Sequence, residues 1–215
     1  MSMRVVVNNG PGVGLRVARS AAVRPVKRAA PAITVRAAAA ADAPALHALI
    51  AGHTEEGHLL PRTLGELTVH AARFVVAVRP TTGGDRIVGC AELAPLSASV
   101  AEVRSLVVAR EARKLGLAQR MVRELGRRAR REGFVRLCAF AHDPAFFVHL
   151  GFGIVPHTWL PEKIAHDCHV CPLFRNCGQY ALELELESSV QHLVKNPVKN
   201  PVRTLREEPV VTPRA

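Results

Sequence analysis

Apolar residues recur along residues 31–187 at two spacings, one typical of strands and one typical of helices. The clearest strand pattern lies near the end, where leucines at 182, 184 and 186 alternate with glutamates at 183, 185 and 187. Such alternation places successive side chains on opposite faces of a sheet. Short runs rich in β-branched residues predict the other strands. The predicted strands cover residues 33–36, 74–78, 87–93, 101–108, 135–141 and 182–187.

Helical spacing occurs in three segments. Residues 117–132 predict an amphipathic helix, and Gly133 follows as a stop signal. Residues 43–51 predict a second helix with Asp42 as its N-cap, and residues 144–150 predict a short third one. A meander of strands followed by strand–helix–strand–helix–strand predicts a mixed sheet with helices packed on it.

Turn and low-complexity signals divide the chain. Residues 79–85, Arg-Pro-Thr-Thr-Gly-Gly-Asp, have the composition of a hairpin loop. Residues 1–30 carry six Lys or Arg and no acid, and they predict a disordered basic leader. Residues 188–215 repeat Val-Lys-Asn-Pro and predict a disordered tail. One domain, residues 31–187, remains between them.

Composition and charge narrow the function classes. The chain has 215 residues, of which 48% are hydrophobic, as in a soluble globular domain. The formal net charge is +11, but the leader supplies six charges and the tail three, which leaves +2 for residues 31–187. With only 4% aromatic residues as well, we expect no nucleic-acid partner. No apolar run approaches the roughly 20 residues of a membrane span, so no membrane partner is expected either. The first residues show no signal-peptide pattern, which favours a cytoplasmic location with reduced thiols.

The segment most informative about chemistry covers residues 106–118. A strand ends at Val108, a basic loop with Arg113 and Lys114 follows, and a helix starts after Gly116. The free amides and the dipole at a helix start attract an anion such as a pyrophosphate. On spacing alone, an ordinary connection between a strand and a helix explains the pattern equally well.

The spacing Arg113-x-x-Gly116-x-Ala118 resembles the acetyl-coenzyme A (acetyl-CoA) loop of the GNAT acyltransferase superfamily. Residues 146–152, Phe-Phe-Val-His-Leu-Gly-Phe, are similar to that fold's closing element. The resemblance spans about residues 33–187. It implies an α/β (α+β) fold whose mixed, mostly antiparallel sheet splays between the fourth and fifth strands, with helices on both faces and acetyl-CoA in the gap. The implied cofactor-binding residues are Leu106, Val107, Val108, Arg113, Lys114, Leu115, Gly116, Leu117 and Ala118.

A narrower resemblance concerns the acceptor. Residues 59–62, 101–106, 159–163 and 167–172 are similar to segments of the stand-alone bacterial N-acetylglutamate synthases. That class acetylates the α-amine of L-glutamate by direct attack in a ternary complex, at the first step of arginine biosynthesis. Because glutamate carries two carboxylates, its site needs at least two cations. The residues implied are Glu102 as the base and Arg62, Arg104 and Lys163 as carboxylate ligands.

Glu102 and Arg104 lie two apart on a predicted strand, so both project from one face. We expect Glu102 to accept the proton of the amine through a water and Arg104 to bind a substrate carboxylate. The alternative is that the two side chains pair with each other on a solvated face. The tyrosine that serves as general acid in many GNAT enzymes is replaced by Phe147, which leaves His142 or a water for that role.

Two further matters stay open. Cys168, Cys171 and Cys177 are either three ligands of a zinc site or free thiols in an insertion at residues 153–178. The alternative functions are acetylation of another amine, such as a polyamine or a peptide N-terminus, and non-catalytic binding of acetyl-CoA. The expected partners are acetyl-CoA and L-glutamate, and the sequence is compatible with a homodimer.

Overall fold

The computed structural model describes residues 32–55, 59–171 and 173–186. The predicted leader and tail, and Glu187, lie outside these residues. Within them, no helix combines the length and the apolar character that crossing a membrane requires. The strands are β1 (Thr34–Ala37), β2 (Phe74–Thr81), β3 (Gly84–Pro95), β4 (Val100–Val108), β5 (Arg136–Ala141), β6 (Gly153–Val155) and β7 (Tyr180–Glu185). The α-helices are α1 (Ala43–Thr54), α2 (Leu64–His70), α3 (Leu117–Arg131), α4 (Ala145–Val148) and α5 (Pro161–His166).

The seven strands form one mixed sheet in the order β1-β2-β3-β4-β5-β7-β6. Only the pair β4–β5 is parallel, and the other neighbours are antiparallel. Pairing of β4 with β5 stops at Val103 and Ala139, although β4 continues to Val108. The sheet is therefore open between its fourth and fifth strands, as the resemblance implied.

A β-bulge lies on β4 where the opening begins. Cys90 of β3 faces Val107, but Glu92 faces Arg104, so β4 carries one extra residue between these pairs. Ser105 lies in this stretch with a φ of 47°, in the left-handed region. A bulge bends and twists its strand, which here accompanies the loss of pairing with β5.

Helices cover both faces of the sheet, and the side-chain alternation of β2 shows how. Val75 and Ala77 pack in one core with α3, whereas Phe74, Val76 and Val78 pack in a second core with α1 and α2. A third, smaller core on the face of α1 and α2 places Leu160 against β4, β5 and β7. Because β2 is apolar at every position from Phe74 to Val78, its side chains contribute to the buried cores on both faces of the sheet.

The largest boundary errors, of three residues each, occur at three places. The predicted loop 79–85 is mostly strand, since β2 runs to Thr81 and β3 starts at Gly84. Pro80 is tolerated in β2 because β1 pairs only as far as Val78, so Pro80 has a neighbouring strand on one side alone. The predicted insertion begins too early, because β6 pairs with β7 and belongs to the sheet. Helix α1 extends three residues beyond its predicted end.

Candidate active site

A cavity of about 440 Å³ lies where α3 begins. Gly116 precedes the helix with a φ of 70°, a conformation that glycine adopts without strain. Among the described residues, no side-chain hydrogen bond caps the first turn of α3, and the first amides of a helix have no acceptor within the helix. This arrangement offers hydrogen-bond donors and positive potential to an anion.

The cavity contains most of the predicted cofactor residues. Those that line it are Val108, Arg113, Lys114, Gly116, Leu117 and Ala118. The other three do not line it: Val107 is buried in the core with α1 and α2, Leu115 is exposed, and Leu106 packs against the core with α3. Helix α4 and the residues that follow it supply a wall that the motif did not predict. The additional lining residues are Ala112, Gln119, Phe146, His149 and Leu150.

The face of β4 opposite α3 carries a cluster of four charged side chains. Glu102 is buried at 4% exposure and accepts hydrogen bonds from Lys163 Nζ at 2.8 Å on each oxygen. Arg104 Nε donates to Glu102 Oε2 at 2.5 Å. Asp167, just after α5, accepts from Arg104 and, at 2.9 Å, from Lys163. The two cations are therefore each shared between a buried and a more exposed carboxylate.

A second group of charges adjoins this cluster across β3 and β4. Arg62 Nη1 donates to the buried Glu92 at 2.8 Å and to the hydroxyl of Ser105 at 3.0 Å. The Nε atom of Arg62 lies 2.8 Å from a carboxylate oxygen of Glu66 in α2. The Arg62 guanidinium also lies 5.9 Å from the ring centroid of Phe74. Since Glu92 faces Arg104 in the strand register, the two groups are neighbours on one face.

Electrostatics keeps Asp167 and Arg104 of this face ionised. Burial alone would raise the pKa of Asp167, but hydrogen bonds from Lys163 and His166 and the charge of Arg104 hold it below its usual range. Burial alone would lower the pKa of Arg104, but Glu102 and Asp167 raise it. Glu102 and Arg104 thus do pair with each other, as the alternative interpretation had it, but on a largely buried face rather than a solvated one.

Three acidic residues of this site were not predicted. Glu92 had a recognisable signal, because it is the single charged residue in the apolar run at residues 87–93. Asp167 and Glu66 had none, since each is an ordinary polar residue of a helix or turn until the fold brings it to an arginine. The predicted set of Glu102, Arg104 and Lys163 is brought together directly, and Arg62 is joined to it through Glu92.

Two other predicted features are the possible zinc ligands after α5 and the phenylalanine at the position of the general acid. Within the described ranges, no group of three or more His, Cys, Asp or Glu side chains has the geometry of a metal site, so zinc at Cys168, Cys171 and Cys177 is not supported. A tetrahedral site needs four converging ligands, and Cys177 is exposed. Phe147 is buried and makes edge-on contacts with its aromatic neighbours.

Comparison with known families decides which class of protein has this arrangement. The model of the acetyltransferase (GNAT) family matches residues 45–152, which is half of the chain. The chain belongs to the acetyltransferase (GNAT) family. The matched range contains the opening between β4 and β5, the cavity at α3, and Glu92 and Glu102, the buried carboxylates of the charged face of β3 and β4 opposite α3.

Relatives of this GNAT protein agree with the assignment. An uncharacterised N-acetyltransferase of Chlorobaculum tepidum is 29% identical over 148 residues, which cover 69% of this chain and 93% of that protein. The N-acetylglutamate synthase of Neisseria gonorrhoeae, solved with coenzyme A and N-acetylglutamate, is 26% identical with a TM-score of 0.63. That match covers 73% of this chain but only 35% of the neisserial one. The Mycobacterium tuberculosis protein Rv2747 has a TM-score of 0.62 at 23% identity, covering 72% of this chain and 99% of its own, and it shows the shared fold.

The family assignment gives the GNAT protein its general activity, which is acetyl-CoA-dependent N-acetylation. This reaction requires a cleft for the thioester cofactor and a place for an amine beside that cofactor. The cavity at α3 and the charged face lie on opposite faces of β4, and the unpaired end of β4 lies between them.

Proposed function

We propose that this GNAT enzyme transfers the acetyl group of acetyl-CoA to the α-amine of L-glutamate. The observation that carries the proposal is the gathering of Arg62, Arg104 and Lys163 on one face of β3 and β4. Guanidinium groups bind carboxylates in a bidentate way, and glutamate has two carboxylates. The likeness to the neisserial synthase, whose structure holds N-acetylglutamate, supports the same acceptor. This activity would belong to arginine biosynthesis and to the cytoplasm.

The proposed place of acetyl-CoA is the cavity at α3. Its pyrophosphate would accept hydrogen bonds from the amides of residues 115–118, with Arg113 and Lys114 adding positive charge. The pantetheine arm would run along the edge of β4 beyond Val103, where β5 no longer pairs with it. Main-chain groups of Leu106 and Val108 would hold the arm as a neighbouring strand would.

The proposed reaction is a direct attack of the amine on the thioester carbonyl. Glu102 would take the proton of the ammonium group through a water, which leaves a nucleophilic lone pair on nitrogen. The new C–N bond forms as the C–S bond breaks, and the amine loses its second proton to solvent. The coenzyme A thiolate leaves as the anion or takes a proton from water, because Phe147 has none to give.

Thiol release from acetyl-CoA tests the proposal. L-Glutamate should release thiol in proportion to N-acetylglutamate found by mass spectrometry, whereas spermidine and a peptide with a free N-terminus should not. Arg104→Gln should abolish most of the glutamate-dependent rate. Arg128→Gln is the matched control, since Arg128 is 21% exposed against 22% for Arg104 and also pairs with a glutamate, but lies on α3. Release with spermidine and not with glutamate would refute the acceptor, and no release with any amine would indicate a binding module.

A further inference from the structure

Each cation of the charged face has two kinds of acidic partner. One kind is buried and fixed in the sheet: Glu92 is 1% exposed and Glu102 is 4% exposed. The other kind lies at the surface on a helix or turn: the side chain of Glu66 is 39% exposed and that of Asp167 is 30% exposed. Removal of the surface partner would leave every cation with a buried one.

Asp167 occupies the position that a ligand carboxylate would need. Its Oδ2 accepts hydrogen bonds from both Arg104 and Lys163, and its Oδ1 lies 2.8 Å from the ring Nδ1 of His166. Arg104 and Lys163 also donate to Glu102, so each would keep a buried partner if Asp167 moved away. A partly exposed ion pair contributes little net stability, so a ligand carboxylate can replace it at small cost.

Glu66 is the surface acidic partner of Arg62, as Asp167 is of Arg104 and Lys163. Its carboxylate lies 2.8 Å from Arg62 Nε, one helical turn further along the chain. Yet among the described residues that buried Nε atom has no hydrogen-bond acceptor in good geometry. Arg62 keeps Glu92 through Nη1 whether or not Glu66 is present. The unsatisfied donor is available to a better-placed carboxylate.

The charges of this face make the exchange necessary for an acidic acceptor. With Glu66, Glu92, Glu102 and Asp167 in place, four carboxylates outnumber the three cations, and the face repels a dicarboxylate. With the two surface acids displaced, three cations face two buried carboxylates and the face carries one net positive charge. Glutamate with a protonated amine carries one net negative charge, so the occupied site is neutral.

We propose that Asp167 and Glu66 occupy, in the free protein, the positions of the two carboxylates of a dicarboxylic amino acid. This ligand displaces both side chains when it binds. This inference rests on the proposed function, because it takes the acceptor to be an amino acid of the glutamate type. It assigns to two surface acids the role of competitors for the acceptor site. Their loss strengthens acceptor binding, whereas loss of a residue that merely supports the site weakens it.

Calorimetric binding of glutarate, which has both carboxylates but no amine to acetylate, tests the inference without turnover. Asp167→Asn and Glu66→Gln should each tighten glutarate binding about fivefold, the factor that about 1 kcal/mol makes in an equilibrium. The double variant should bind glutarate more tightly by about the product of the two single factors, since the two acids pair with different cations. Glu132→Gln, which removes another i,i+4 ion pair on α3, is the control and should bind as the wild type does.

Glutarate binding that is unchanged or weaker in Asp167→Asn and Glu66→Gln overturns the inference, as does no detectable binding to any form. Thermal melting of each variant shows that it is folded, and Glu66→Gln on α2 carries the test if Asp167→Asn does not fold. Thiol release with L-glutamate in the wild type separates the two proposals. Tighter glutarate binding without glutamate acetylation supports displacement of the two surface acids by a dicarboxylate and removes glutamate as the acceptor. Glutamate acetylation without tighter glutarate binding supports the proposed function and overturns the displacement.

Discussion

A single charge placed at residue 116 tests whether the start of α3 binds the cofactor phosphates. Gly116 has a φ of 70°, and a Cβ atom built there meets no atom within 4 Å. Asn and Asp both tolerate this left-handed conformation and have the same shape, so Gly116→Asn and Gly116→Asp share any backbone cost and differ only in charge. The comparison between the two variants therefore isolates electrostatics.

The magnitude follows from Coulomb's law. A carboxylate about 6 Å from a phosphate, in an effective dielectric constant of about 40, repels it by about 1.4 kcal/mol. The KM for acetyl-CoA should therefore be about tenfold higher in Gly116→Asp than in Gly116→Asn. The difference should shrink as salt rises from about 0.05 M to about 0.5 M, because ions screen an exposed pair.

Initial rates at several acetyl-CoA concentrations, or calorimetry with coenzyme A, measure this difference. The melting temperature without ligand is the control for folding, and an acid at the start of α3 should not lower it below that of the Asn variant, because the helix dipole favours an anion there. Equal KM values, within about a factor of two, in the two variants at low salt would refute phosphate binding at this helix start.

Three other outcomes follow from buried or paired groups. Lys163→Met should lower the free energy of unfolding in urea by about 2 kcal/mol, because Glu102 stays buried with one cation fewer; the loss should be smaller when Glu102→Gln is also present. Burial raises the pKa of the Cys90 thiol to about 12 and raises that of Cys138 as well, so neither should react with iodoacetamide at pH 8 in the native protein, whereas the exposed Cys177 should. Hydrogen bonding to Arg36 of β1 lowers the pKa of Asp42. The ionised Asp42 therefore stabilises the fold at neutral pH, and this stabilisation is lost as the pH falls through that lowered pKa. Asp42→Asn should therefore be less stable than the wild type at pH 7 in denaturant titrations, with the gap closing below about pH 4.

The parts of the fold with strong periodicity could be predicted from the sequence. Helix α3 comes within one residue of its predicted bounds at each end, because a long apolar stripe allows one assignment, and β4 comes equally close. Strand β7 was predicted from its alternation, but it begins and ends two residues earlier than predicted, because alternation fixes the faces of a strand and not its ends. Helix α2 and helix α5 are too short to show periodicity, and neither was predicted. Thr63, whose side chain accepts from the amide of Glu66, is a capping signal that could have indicated α2.

The predicted site was incomplete for a different reason. The positively charged residues stood in segments that resemble a known class, but several of their ion pairs join distant parts of the chain. Asp167 meets Arg104 across 63 positions, and Glu92 meets Arg62 across 30. Which anion balances which cation depends on the register of β3 and β4, including the bulge at Ser105, and that register is a tertiary property.

The opening between β4 and β5 has a consequence for the order of events in catalysis. In the proposed arrangement, acetyl-CoA in the cavity at α3 and the amine at the charged face lie on opposite faces of β4, so neither reactant would block the entrance that the other uses. Both would be present together, and the acetyl group would have only to cross the unpaired end of one strand. After transfer, coenzyme A and the acetylated product would depart by separate routes, so neither would have to wait for the other before the next cycle begins.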